Sequence, residues 1–179
     1  MEFRNINEEA QTLGQAKLIA FAALMAALSN ILSIEPFVIP IAAGPFPSKI
    51  HFTQLPIFLS GILAGPWAGL LTGAVGGLYM GLTMIPFIIG GLALLGVSAG
   101  LFAKKLRPLF SGILAWCVQA PYVFITDYVW FTSSRFMPPS VALAAVSTIL
   151  IKLTVEAVIA SVLVEILVPY IKRAGLTFK

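Results

Sequence analysis

The sequence predicts an all-α integral membrane protein, a single membrane domain of six transmembrane helices with both termini cytoplasmic. Three observations carry that reading. Of 179 residues, 59% are apolar and only 10% charged, whereas a soluble domain carries about 25% charged residues to cover its surface. Mean hydropathy is +1.00. From Phe52 to Ala103 there is no Asp, Glu, Lys or Arg at all, and a straight helix of that length would measure ~78 Å, more than two crossings of ~30 Å of hydrocarbon. A water-soluble fold, a disordered tail and a nucleic-acid module are excluded on composition. The lone Cys117 and lone His51 exclude an internal disulfide and a Cys- or His-rich metal centre.

The elements follow in chain order. Residues 1–15 form a cytoplasmic N-terminal segment, either a short interfacial helix or a solvated tail; Glu2, Glu8 and Glu9 deny it the basic start of a cleaved signal peptide. The first span covers 16–34, with Lys17 at its start. The next stretch, Glu35 to Lys49, holds four prolines and reads as extended, stiff and lid-like rather than helical. Pro66 and Pro86 divide the charge-free block into spans 50–64, 66–83 and 86–103, because a proline inside a helix removes a hydrogen bond and clashes with the preceding turn. The first of these is short for a crossing and needs tilt, irregularity or shielding by neighbours. Spans 109–131 and 141–171 complete the set, the last opening on "MPP", since proline is tolerated in a first helical turn.

Orientation comes from the basic residues, which accumulate on the cytoplasmic side of membrane proteins. In a six-span plan Arg4, Lys17, Lys104, Lys105, Arg107, Lys172, Arg173 and Lys179 share one side, and only Lys49 and Arg135 lie opposite.

Small residues at four-residue spacing let helix backbones approach closely. Gly61, Gly65, Gly69, Gly73, Gly77 and Gly81 form one such series, and Gly96 with Gly100 a second. In the first span Ala22/Ala26 and Ala23/Ala27 offer two registers of a flat face, suited to internal packing or to a separate subunit.

Ionisable groups within a membrane are costly and are kept for a partner or a function. The last span carries Thr148, Lys152 and Glu156 on one face, with Lys152 near mid-membrane. The fifth carries Gln119, Thr126 and Asp127 among Trp116, Tyr122, Tyr128 and Trp130. Lys152 reaching outward can approach Asp127 if the two spans are neighbours. Phe37 in the first outer loop, Tyr79 in the third span, and Arg135 with Phe136 near the outer mouth add candidates for a pocket taking a small, flat, polar molecule. No Walker, zinc-protease or serine-hydrolase motif is present, so no enzyme activity, cofactor or metal is expected, and ATP-driven work must come from partners.

The run "KIHFTQLPIFLSGILAGPWAGLLTGAVGGLYMGL", residues 49–82, resembles the signature region of S components, the substrate-binding subunits of energy-coupling factor (ECF) vitamin transporters. Phe52, Leu55, Pro56, Gly61, Gly65, Pro66, Gly69 and Gly73 carry the pattern. The resemblance implies a plasma-membrane protein that captures a vitamin-like ligand from outside. It also implies work with a transmembrane coupling subunit, docked through an alanine motif, and two cytoplasmic ATPase subunits. Riboflavin-type members have a lysine in helix six, which Lys152 matches, and an asparagine three residues earlier, where this chain has Ile149. Glu156 lies outside that pattern and suits a ligand with an amine or ring N–H. The competing reading is a self-sufficient proton- or ion-coupled carrier using Asp127, Lys152 and Glu156 as a relay.

Overall fold

The computed structural model describes the backbone of residues 2–43, 46–175 and 178, and the side chains of 14–41, 49–175 and 178. Pro45, Lys179 and the side chains of Glu2, Arg4, Glu8 and Glu9, used in the sequence reading, lie outside the described residues. Among the described residues seven helices and one hairpin follow in order: α1 Glu2–Ile31, β1 Ile39–Ala43, β2 Phe46–Ile50, α2 Gln54–Ala64, α3 Pro66–Gly76, α4 Leu78–Thr83, α5 Ile88–Phe102, α6 Pro108–Ser133 and α7 Pro139–Arg173.

Prolines start three of these helices. Pro66, Pro108 and Pro139 occupy the first turns of α3, α6 and α7, where a missing N–H leaves no bond unmade. The tight corner from α2 into α3 needs Gly65, whose φ of 93° an L-side chain would resist.

Several expectations change. The expected first span 16–34 ends at Ile31, and the expected span 50–64 becomes a helix only from Gln54, because Ile50 belongs to β2. α1 is one uninterrupted helix of 30 residues, so the N-terminal segment is neither a separate interfacial helix nor a tail. The fold is not purely helical, because the proline-rich loop pairs with itself as an antiparallel hairpin, Ile39 opposite Ile50 and Ala43 opposite Phe46. The expected span 86–103 starts two residues late, at Ile88. The expected span 66–83 breaks at Gly77 into α3 and α4. Asn30 on α1 accounts for that break. Its Nδ2 donates to the Val75 carbonyl at 2.9 Å and its Oδ1 accepts from the Tyr79 N–H at 3.0 Å, satisfying two backbone groups beside the interruption.

α2 is only 11 residues long, ~16 Å, yet it touches α1, α3, α5, α6 and α7. Ile57 and Phe58 at its centre are fully buried. Neighbouring helices therefore shield this short segment. The glycine series packs internally. A Cβ on Gly69 would strike the Gly96 carbonyl, and one on Gly73 the Leu92 carbonyl, so α3 lies backbone to backbone on α5. Polar side chains tie α1, α2 and α3 together. The Thr72 hydroxyl is 2.7 Å from Ser60 Oγ and 3.2 Å from the Ala22 carbonyl, and Ser29 Oγ donates toward the Gly76 and Thr53 carbonyls at 3.2 and 3.3 Å.

Candidate ligand-binding cavity

A cavity of about 420 Å³ opens between the hairpin and α4–α7, within the range of ~300–1,000 Å³ usual for small-molecule sites. Helical periodicity selects its wall. Residues three and four apart share a face, so α6 presents Gln119, Tyr122, Val123, Thr126 and Asp127, and α7 presents Ile149, Lys152, Leu153 and Glu156. Ile88, Gly91 and Leu92 of α5, with Met80, Met84 and Ile85, make an apolar side. Pro40, Ile41 and Lys49 of the hairpin close over it, and His51, Thr53 and Gln54 enter where β2 runs into α2.

The ionic centre is compact. Lys152 Nζ lies 3.6 Å from Glu156 Oε1, the two side chains being 9% and 2% exposed. The same oxygen accepts the backbone N–H of His51 at 2.8 Å, and His51 Nδ1 stands 3.9 Å away. Around this pair, buried polar atoms are left without hydrogen-bond partners among the described residues: His51 Nδ1, both amide atoms of Gln54, and Gln119 Oε1. Buried polar groups are nearly always paired; a set of unpaired ones around a cavity is chemistry that a polar ligand can complete. Higher on α6 the hydroxyls are committed. Thr126 donates to the Tyr122 carbonyl at 2.8 Å, and Tyr122 donates to the Phe87 carbonyl at 3.2 Å.

The hairpin is tied to the turn before it, where Lys49 Nζ donates to Glu35 Oε1 at 2.5 Å. That hydrogen bond, helped by the lysine charge, holds the exposed Glu35 carboxyl below the ordinary carboxylate range.

Of the residues expected to bind ligand, Lys152, Glu156, Asp127 and Gln119 line the cavity together. Six do not. Thr148 lies on the Lys152 face a turn nearer the mouth, but its hydroxyl is turned back to the Ala144 carbonyl at 3.0 Å. Tyr128, one residue past Asp127, is rotated ~100° around the helix and stacks on Phe124, ring centroids 6.3 Å apart. Trp130 stands behind the wall, edge-on to cavity-lining Phe87 at 6.2 Å. Phe37 and Tyr79 are 50% and 38% exposed on the outer surface, and Arg135 is exposed in the turn after α6. Of the alanines, Ala22 and Ala26 are buried, at 3% and 2% exposure, against α3, which removes them from any docking face; Ala23 and Ala27 are exposed.

The cavity also takes in His51, Gln54 and Lys49, which are not among the residues expected from sequence to bind ligand. The signal for the first two was present: a lone histidine and a glutamine at the head of a charge-free block are themselves costly polar groups that need partners.

Comparison with known proteins agrees with this architecture. The family model for the ECF-type riboflavin transporter S component matches residues 14–173. A solved structure described as the S component of a bacterial ECF transporter superposes with a TM-score of 0.64 at 21% identity, covering 89% of this chain and 97% of that one. At that identity the likeness establishes the fold. No curated protein matches the chain significantly. The match over most of its length places this chain in the ECF-type riboflavin transporter S component family, a family of membrane transport proteins.

Proposed function

We propose that this chain is the substrate-capturing subunit of an ATP-driven importer, holding riboflavin or a related heteroaromatic micronutrient in the cavity under the hairpin. The observation that carries the reading is the cavity itself: an apolar slot whose inner end gathers Lys152, Glu156, His51, Gln54 and Gln119, several with unmet hydrogen-bonding capacity. A flat ring would lie against the Met80, Ile88 and Leu92 side, with its polar edge toward Lys152 and Gln119.

The setting is a single multi-pass domain in the plasma membrane with both termini cytoplasmic. In support, α1 from Gly14 to Ile31 and α6 are long and apolar enough to cross a bilayer. Arg107 Nη2 bonds Glu165 Oε1 at 2.6 Å, which ties the basic turn Lys104–Arg107 to α7 about two turns before Lys172 and Arg173. A one-sided basic cluster is what cytoplasmic ends carry.

The ATPase work belongs to partners, two cytoplasmic subunits coupled through a transmembrane protein. The exposed Ala23/Ala27 register, flanked by exposed Ile19, Leu24 and Ile31, is the face on α1 that such a subunit would engage. Reconstitution tests the whole reading. Vesicles containing the chain with the coupling and ATPase subunits should accumulate riboflavin on ATP hydrolysis. Uptake by the chain alone, driven by a proton gradient, would instead establish the carrier reading.

A further inference from the structure

Among the described residues two carboxylates, Asp127 and Glu156, face the cavity, and their surroundings differ. Glu156 is answered by Lys152 and by the His51 N–H. Lys49, the other cation on the wall, is answered by Glu35. His51 lies against Glu156, so a proton on its ring would belong to that group. Asp127 is 5% exposed, lines the cavity, and has neither a hydrogen-bond donor nor a cation within contact among the described residues. The α6 hydroxyls that line the cavity beside it, Thr126 and Tyr122, donate to backbone carbonyls. Each described cation on the wall contacts another carboxylate, and Asp127 is the cavity carboxylate left without a contacting partner among the described residues.

Its height matters as much as its charge. Asp127 lies six residues before the end of α6 at Ser133, ~9 Å along the axis, whereas Gln119 lies ~12 Å deeper. The deep groups would read the ring of a ligand; Asp127 faces whatever part remains nearer the mouth.

We propose that Asp127 sets the charge of the accepted ligand. It takes a hydrogen bond from a hydroxyl or amine on the ligand's outer part and excludes molecules phosphorylated there. This rests on the reading of the cavity as the ligand site. A carboxylate in a largely apolar cavity gains from a donor, which supplies the partner the protein withholds. A phosphate in the same place meets a like charge where little water screens it, and rejection by repulsion is how a site turns away a close analogue that shares every attractive contact.

The test uses the full chain in detergent, titrated by equilibrium dialysis with riboflavin and with riboflavin 5′-phosphate, which differ only by a phosphate ester at the end of the ribityl tail. Wild type should bind riboflavin about a hundredfold more tightly than its phosphate, and Asp127→Asn should narrow the ratio below about tenfold, chiefly by gaining the phosphate. Asp127→Ser serves as a second variant and should narrow it likewise. The unliganded Asp127→Asn protein should melt no lower than wild type, because it loses an unpaired charge. Equal binding of both flavins by wild type, an unchanged ratio in the variants, or a marked drop in melting temperature would overturn the proposal. If wild type binds neither flavin, the ligand reading itself fails and the proposal falls with it.

Discussion

The backbone N–H of His51 donates to Oε1 of Glu156 at 2.8 Å, joining residues 105 apart in the chain. This bond fastens the entry of α2 to the middle of α7, so the carboxylate of Glu156 has a structural duty besides neutralising Lys152. Truncation should therefore be costly. Glu156→Ala leaves the Lys152 ammonium buried without its partner and should destabilise the fold by about 3–5 kcal/mol. Glu156→Gln keeps an acceptor for the His51 N–H, and adding Lys152→Met to it removes the orphaned charge and should recover much of the loss. Thermal melts in detergent of the single and double variants decide this; additive losses would mean the two side chains do not interact.

Gly69 and Gly96 set the distance between α3 and α5. A side chain at either would run into the backbone of the opposite helix, so Gly96→Val should prevent native packing or cost at least about 3 kcal/mol. Gly14 has open space around it and serves as control. Gly14→Ala should leave the melting temperature unchanged or slightly raised. Similar melting of the two variants would disprove the close approach.

The two alanine registers on α1 should separate cleanly. Ala23→Leu and Ala27→Leu enlarge an exposed face, and each should leave riboflavin affinity intact while reducing recovery of the coupling subunit in pull-downs. Ala22→Leu and Ala26→Leu force bulk into the buried α1–α3 contact and should lower stability by about 1–3 kcal/mol before assembly is reached. Full assembly with both exposed alanines enlarged would place docking on another surface.

The Glu35–Lys49 pair makes the hairpin sensitive to acid. Because the pair lowers the Glu35 pKa in the folded protein, its contribution is full above the ordinary glutamate pKa and is lost as pH falls through the lowered value. The effect is small, as for any exposed ion pair. A nitroxide at exposed Ile39 should show constant mobility from neutral pH to about pH 5 and greater mobility at lower pH. Glu35→Gln should be mobile throughout and flat with pH. A wild-type hairpin equally mobile at every pH would show that the pair does not hold it.

Much of the helical layout was legible because apolar length and proline placement act locally. Pro66, Pro108 and Pro139 each stand in the first turn of a helix, where proline is tolerated. Asp127, Lys152, Glu156 and Gln119 were legible as ligand candidates because a polar group in an apolar helix is conspicuous wherever it ends up. What failed depended on rotation and on distant partners. Tyr128 and Trp130 are aromatic neighbours of Asp127, but composition does not tell which of three adjacent residues a helix turns inward. Thr148 looks available until its bond to its own helix is seen. The Gly77 break is stabilised by Asn30, 47 positions earlier, and the choice between the alanine registers rests on how α1 meets α3; neither relation leaves a mark in the local sequence.

Capture of ligand at Lys152 is the centre of the account, and titration of the detergent-solubilised chain with riboflavin tests it most directly. Tryptophan fluorescence is a suitable readout, because Trp130 packs on cavity-lining Phe87. Wild type should show saturable quenching at one ligand per chain, and Lys152→Met, paired with Glu156→Gln to keep the buried charge balanced, should bind at least about tenfold more weakly while remaining folded. Affinity unchanged in that double variant, or no saturable binding by wild type, would contradict it.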